Sequence, residues 1–510
     1  MHASIVVNPF RIGAHTVKLL STIQRRLLLQ PWRRVVVDDQ RSWRAIEIQI
    51  VAWHLAREIE RTSQAPRIGV MLPTSGLFPA AVLAGWMLGR TVVPLNYLMS
   101  KPDVAYVCAD AGVDACVSVQ PMLDFVGGLP DGVRAIRMDA MRFSGMPPIR
   151  WPRGMAEDAL AVLLYTSGTS GRPKGVMLTG ANLMANIGQI VDRAQFSRID
   201  TMLGVLPQFH SFGLTVLTLL PLAIGCRAVY TARFVPRKIV DLARKNRPTV
   251  LVAIPSMYAA LRLVKGATRE DLASLRYVVS GGEPLPQAVS DDFLERFGIR
   301  ISEGYGLTET APVTNWCLPD EWRFRSVGRP LADIDERIVA PDGSDVPRGE
   351  EGEVRIKGPN VMQGYWNLPE ETSAVFDERG YFKTGDMGRL DADGHLFITG
   401  RIKEMLIIGG ENVFPREIEE VLDRHESVKA SAVVGLRDES RGELPIAFVE
   451  LKDGCTFDET ALRSWCREHL AQFKVPREIR HKDALPRNPT GKIVRRVLAA
   501  ELKDSPAKPA

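Results

Sequence analysis

Short apolar runs alternate along this chain with longer stretches in which apolar residues recur every three or four positions. Residues 66–72 and 161–165 are of the first kind and 78–88 and 239–245 of the second. A strand covered on both faces reads as a continuous apolar run, while a helix packed on it carries one apolar stripe. The alternation therefore predicts an α/β fold with largely parallel sheets. From residue 337 the texture changes: 337–339, 352–357 and 394–398 read as short strands between Asp-Gly and Glu-Gly turns, which predicts a β-rich subdomain. Beyond Gly400 the pattern returns to helices at 417–424 and 458–470 and strands at 430–435 and 446–451. The expected architecture is a large N-terminal domain of parallel α/β sheets plus a β-rich subdomain, residues 38–400, followed by a small α+β C-terminal domain, 404–503. The junction falls at 401–403, a basic segment spans 1–37, and 504–510, rich in Lys, Pro and Ala, is expected to be disordered.

Composition narrows the classes. At 510 residues with 45% hydrophobic content, the chain can bury a sizeable core and exceeds one ordinary domain. Lys plus Arg number 65 against 60 for Asp plus Glu, and a net charge of +5 spread so thinly does not suit a nucleic-acid binder. The six cysteines form no CxxC pair and no cluster of metal-ligand spacing, so they read as reduced structural thiols, with a reducing cytoplasmic compartment as the default. The apolar run 214–226 is interrupted by Thr, Pro and Gly and is shorter than the ~20 residues of a spanning helix, so it belongs to the core. Residues 1–37 hold no Asp or Glu but do hold Arg11, Lys18, Arg25, Arg26, Arg33 and Arg34, interleaved with apolar positions. That pattern suits a helix on anionic lipid, a transit-like leader, or a surface helix packed on the large domain. No uncharged stretch with a small-residue cleavage site is present, so secretion is not expected.

The densest chemistry lies at 163–179. An apolar strand feeds a loop with hydroxyls at Thr166, Ser167, Thr169 and Ser170, glycines at Gly168, Gly171 and Gly175, and Lys174. Glycines let backbone N–H groups close on phosphate oxygens, hydroxyls add donors, and the lysine adds charge, which together make an anion cradle. It is not a Walker A loop, since Pro173 stands where the second glycine belongs. This segment resembles the signature loop of the adenylate-forming (AMP-binding) superfamily of acyl-CoA synthetases, peptide-synthetase adenylation domains and beetle luciferases. Further motifs follow in the order that family has.

Ser280-Gly-Gly-Glu-Pro-Leu-Pro286 is similar to the turn that contacts adenine, which brings in Gly282, Glu283 and Pro284. In Glu303-Gly-Tyr-Gly-Leu-Thr-Glu-Thr310 the resemblance assigns the Tyr305 ring to adenine, the Thr308 hydroxyl to the α-phosphate, and Glu309 to Mg²⁺. Tyr381-Phe-Lys-Thr-Gly-Asp386 ends in an acid suited to accept from both ribose hydroxyls, and the resemblance adds Arg401; a structural salt bridge is the rival reading. The run 400–419 looks like the hinge and following loop of acyl-CoA synthetases, with Lys403 as pivot, a mobile small domain, and Gly409 and Gly410 beside the pantetheine of coenzyme A, unless they merely close a hairpin. Lys492, on the loop Arg487-Asn-Pro-Thr-Gly-Lys492, matches the catalytic lysine.

Implied is an enzyme, an AMP-forming acid–thiol ligase with ATP, Mg²⁺ and coenzyme A as cofactors. It would convert a small-molecule carboxylic acid, a medium- or long-chain fatty acid first, to an acyl-adenylate and then a thioester. The run 207–214 resembles the stretch that lines the acyl pocket, where His210 gates the ATP side or steers the carboxylate; a buried, hydrogen-bonded His is the alternative. Gly213, Gly281, Gly282 and Gly306 are expected to leave room for a slim alkyl chain, and no inward Asp to hold an amino group is identifiable. The pattern is also similar to acyl-acyl-carrier-protein synthetases, so a carrier protein is the alternative acceptor, with peripheral membrane contact through the N-terminus. A peptide-synthetase module is expected to continue into a carrier domain, and a non-catalytic scaffold to have lost Lys492 or Glu309.

Overall fold

The computed structural model describes residues 18–150, 156, 158–166, 172–408, 411–438, 442–487 and 492–504. Among these, two sheets make the large domain. The nine-stranded sheet runs Arg329–Pro330, Val313–Trp316, Ser302–Gly306, Tyr277–Ser280, Val250–Ala253, Thr201–Gly204, Arg227–Tyr230, Arg34–Val37, Ser42–Arg44. Its middle pairings, from Ser302–Gly306 across to Arg34–Val37, are parallel, and antiparallel strands close both edges. The six-stranded sheet is parallel except for its last pair, the hairpin of Leu160–Thr166 with Lys174–Thr179. Strands such as Val250–Ala253 and Ala115–Ser118 are buried at every position, as a parallel sheet covered by helices on both faces requires.

A four-stranded antiparallel sheet, Asp335–Val339, Gly352–Lys357, Phe382–Leu390 and Leu396–Arg401, is the expected β-rich subdomain. Its last strand starts at Leu396 and not at 394, because Gly394 takes a left-handed φ of +81° in the preceding turn. The small domain holds a five-stranded sheet with a core on each face. Ala432, Val434, Ile446 and Phe448 face the helix Arg495–Asp504, whereas Val433, Ala447 and Val449 face Pro415–Leu422 and Glu459–His469. Asp504 is thus the end of a helix and not the start of a disordered tail; 505–510 lie outside the described residues.

The N-terminal segment does not stand apart. Leu19, Leu20, Ile23 and Leu27 of the helix Leu19–Leu29 are buried in the large-domain core, and Arg34–Val37 is a strand of the nine-stranded sheet, paired with Arg227–Tyr230. A boundary at residue 37 would cut that sheet, and the apolar stripe expected to meet lipid meets protein. Among the described residues no helix is long and apolar enough to cross a membrane. The six cysteines are free thiols, all buried but Cys455.

Candidate functional site

The phosphate loop springs from the hairpin in which Thr166 stands opposite Lys174. Ser167, Gly168, Thr169, Ser170 and Gly171 lie outside the described residues; Thr166 and Lys174 mark the base of their loop. Lys174 Nζ sits 5.1 Å from the centre of the Tyr365 ring, and Tyr365 Oη donates to Glu309 Oε1 at 2.9 Å. Tyr365 thereby links the loop to the acidic motif, a role no local pattern announces. Glu309 follows the strand Ser302–Gly306 on a 3₁₀ turn, Thr308–Thr310. Burial raises its carboxyl above the ordinary range, against the Tyr365 hydrogen bond and the Arg401 charge. A half-buried carboxylate whose Oε1 accepts from one phenol keeps lone pairs for a hard divalent cation and so fits Mg²⁺. Thr308 Oγ1 lies 3.3 Å from Ser211 Oγ, so the acidic motif also touches the 207–214 segment.

Asp386 stands opposite Arg401 across paired strands. Its Oδ1 accepts from Arg401 Nε at 2.9 Å and its Oδ2 from Tyr305 Oη at 2.6 Å, with only 2% of the residue exposed. The salt bridge of the rival reading is therefore present, and Tyr305 is joined to the same carboxylate. Burial by itself would lower the Arg401 guanidinium, but Asp386, Glu404 and Glu309 hold it above its usual value. Lys403 follows on the exposed turn Ile402–Glu404; burial of its ammonium and the Arg401 charge lower it, against Glu404, Asp386 and Glu309. Gly409 and Gly410 lie outside the described residues, between Leu406–Ile408 and Glu411–Val413, which pair as a hairpin.

Lys492 brings the small domain to this cluster. Burial and the Arg401 charge lower its pKa, while Glu283 and Glu404 raise it. Glu283, on the turn after the strand Tyr277–Ser280, is raised by burial and lowered by Lys492. Gly282 there holds a φ of +84°, which a side chain would strain, and Pro284 is exposed. His210 opens onto solvent, so it is not a core histidine; the protein enclosing it and the Lys492 charge nonetheless lower its pKa. One small-domain lysine thus feels Glu283, His210 and Arg401 of the large domain together. Arg495, three residues on, is bound to Glu419 through Nε at 3.1 Å and Nη2 at 2.7 Å and to Glu404 through Nη1 at 3.4 Å. Its position just past Lys492 was the one sequence signal for it.

The expectation of glycines lining an alkyl channel does not hold. A Cβ on Gly213 would overlap the Pro207 carbonyl, and one on Gly306 the Pro312 carbonyl. These two glycines permit close backbone approach. At Gly281 the vacant side faces the Phe212 ring, which a Cβ there would approach to 3.0 Å, and Gly282 answers to its φ.

Known proteins give the chain a family. The sequence profile of the AMP-binding enzyme family matches residues 24–366, and that of the AMP-binding enzyme C-terminal domain matches 417–492. The chain belongs to the AMP-binding enzyme family. A feruloyl-CoA synthase from Amycolatopsis sp is 34% identical over 434 residues, 84% of this chain and 87% of that one. A long-chain-fatty-acid–CoA ligase from Bacillus subtilis (strain 168) is 37% identical over 357 residues, 69% of this chain and 63% of that one. ATP-bound MatB from Rhodopseudomonas palustris, 30% identical, superposes with a TM-score of 0.86, covering 96% of this chain and 99% of that one; apo MatB, at equal identity and coverage, gives 0.77. This AMP-binding enzyme is an AMP-forming acid–thiol ligase, and its cofactors are ATP, Mg²⁺ and coenzyme A.

Proposed function

We propose that this ligase activates a carboxylic acid with an apolar body and passes it to coenzyme A, with Lys492 as the catalytic cation of the first step. The observation that carries the reading is the reach of Lys492 across the domain boundary to Glu283, His210 and Arg401. A carboxylate attacking the α-phosphate brings two anions together, so the barrier is one of charge and position. The carboxylate oxygen bonds to phosphorus as the bond to pyrophosphate breaks, and no proton need move. Lys492 supplies positive charge where those anions meet. The Tyr305 ring receives adenine, Asp386 with Arg401 orients the ribose, Thr308 donates toward the α-phosphate, and the 166–174 loop with Lys174 holds the departing pyrophosphate. Glu309 would hold Mg²⁺, which when bound neutralises phosphate charge.

Thioester formation follows once the small domain turns about Lys403, the proposed hinge being 401–403 and the mobile domain 404–503. Arg495 ties the Lys492 loop to Glu419 and Glu404, so the lysine travels as part of a rigid body. Gly409 and Gly410 would then stand beside the pantetheine arm.

For the acid body, the stretch 205–214 carries no charged side chain but His210, so a second charged group on the substrate would lack a partner there. A medium- or long-chain fatty acid meets this condition. An aryl acid is the second reading, favoured by the flat wall that Phe212 makes against Gly281. Acid-dependent AMP release with fatty and aryl panels, with coenzyme A and holo acyl carrier protein as rival acceptors, tests all of this. Turnover only with acids that carry a second charge overturns the apolar reading, and turnover only with the carrier protein overturns the acceptor.

A further inference from the structure

With the apolar stripe of the helix Leu19–Leu29 buried, a different surface faces outward at its end. Leu29 is 65% exposed, Trp32 71% and Ile199 89%, three large apolar side chains in solvent. Arginines join them into one patch. Arg25 shares the outward face with Leu29, four residues apart on the helix. Arg33 Nη2 donates to the Arg198 carbonyl at 2.5 Å, which ties Trp32 to the loop bearing Ile199. Arg26 and Arg198 both run past Gly225, where a Cβ would lie 3.8 Å from the Cδ of each. Partial burial, then Arg198, then Arg25 lower the Arg26 guanidinium, a sign of like charges crowded together. Among the described residues no carboxylate forms an ion pair with Arg25, Arg26, Arg33 or Arg198. Uncompensated guanidinium groups around separate tryptophan and aliphatic tips suit a bilayer interface, where the charges meet headgroups and the tips enter the acyl boundary. A nucleic acid would give Leu29 and Ile199 nothing to stack on, and a protein partner would want one continuous apolar patch.

We propose that this patch docks the enzyme on membranes with anionic headgroups. The helical run from Ser211 to Ile224 begins beside Thr308 and ends at the patch, and its 14 residues span about 20 Å at 1.5 Å each. Docking would hold the reaction centre about that far from the lipid surface. The claim goes beyond the choice of acid and stands whichever acid is used.

The test is co-sedimentation of the full chain with vesicles of phosphatidylcholine and phosphatidylglycerol in equal parts, against phosphatidylcholine alone, with melting curves as the control for folding. Binding should require the anionic lipid and weaken with salt. R25Q and R198Q should each lower the partition coefficient about fivefold, and W32S should lower it further without changing the salt dependence. No binding to the anionic vesicles, equal binding to both kinds, or undiminished binding by the folded R25Q/R198Q double variant overturns the proposal. So does a concentration-dependent dimer that W32S abolishes, since the patch would then be covered by a second copy.

Discussion

Replacing Lys492 by Ala removes a small-domain cation whose charge acts on both Glu283 and His210 of the large domain and which itself feels Arg401. Two unit charges ~4 Å apart at an effective dielectric of ~20 interact by ~4 kcal/mol. Pre-aimed donors at a developing charge are worth ~3–4 kcal/mol by substitution, so the two routes agree on a loss of about 10²–10³-fold in adenylation. The fold should survive the change. Burial already lowers the Lys492 ammonium, and Glu283 retains Arg487 and Arg495 as opposing charges. The assay is single-turnover, acid-dependent AMP and pyrophosphate release, paired with thioester formation from supplied acyl-adenylate. The first should fall by the amount stated and the second should stay near wild type. A loss under tenfold in the first, from a protein with an unchanged melting curve, refutes the assignment of Lys492.

Lys403→Pro fixes φ at the proposed pivot, so it should spare adenylation and depress thioester formation; equal loss in separate half-reaction assays would count against a hinge there. Asp386→Asn strips charge from the acceptor of Arg401 and Tyr305, and at ~1.5–3 kcal/mol for a charged hydrogen bond it should raise the KM for ATP about 10–100-fold with a smaller effect on kcat. Burial lifts the Glu303 carboxyl to about 7, against an ordinary 4.5. The folded chain therefore prefers it protonated, and the Glu303 contribution to stability is fully present below pH ~4.5 and is lost as pH rises through 7. Glu303→Gln should remove that decline, so its melting temperature relative to wild type should climb by several degrees between pH 5 and 8; a constant difference would mean Glu303 does not titrate there.

Much of the site was legible because its residues sit in dense local runs. Thr166 with Lys174, Tyr305 with Glu309, and Asp386 each lie in a motif whose turn glycines and polar groups are adjacent in sequence. What stayed hidden was tertiary. Tyr365 meets Glu309 from 56 residues away, and Ser211 meets Thr308 from 97. The glycines misled for a related reason: a sequence cannot say whether a missing Cβ faces a cavity or a carbonyl, and at Gly213 and Gly306 it faces a carbonyl. The N-terminal helix shows the same limit, since an apolar stripe beside arginines has one appearance whether lipid or the Ile224 helix covers it.

The distribution of ion pairs also bears on how such a ligase could hold two arrangements. Across the domain boundary, Arg325 pairs with Glu420 at 2.6 Å and Arg416 Nη1 donates to the Ile398 carbonyl at 2.6 Å. Arg325 and Glu420 are only half-buried, and pairs so exposed contribute about 0–1 kcal/mol each. Within the small domain the bond is of another kind. Arg495 grips buried Glu419 with two nitrogens, and Glu419 also accepts from the Val433 N–H at 2.7 Å, so breaking that contact would strand a buried charge. If the proposed hinge turns, the pairing of Arg495 with buried Glu419 keeps the Lys492 end of the small domain joined to the helix Pro415–Leu422, while the Arg325–Glu420 and Arg416–Ile398 contacts are the ones that must part.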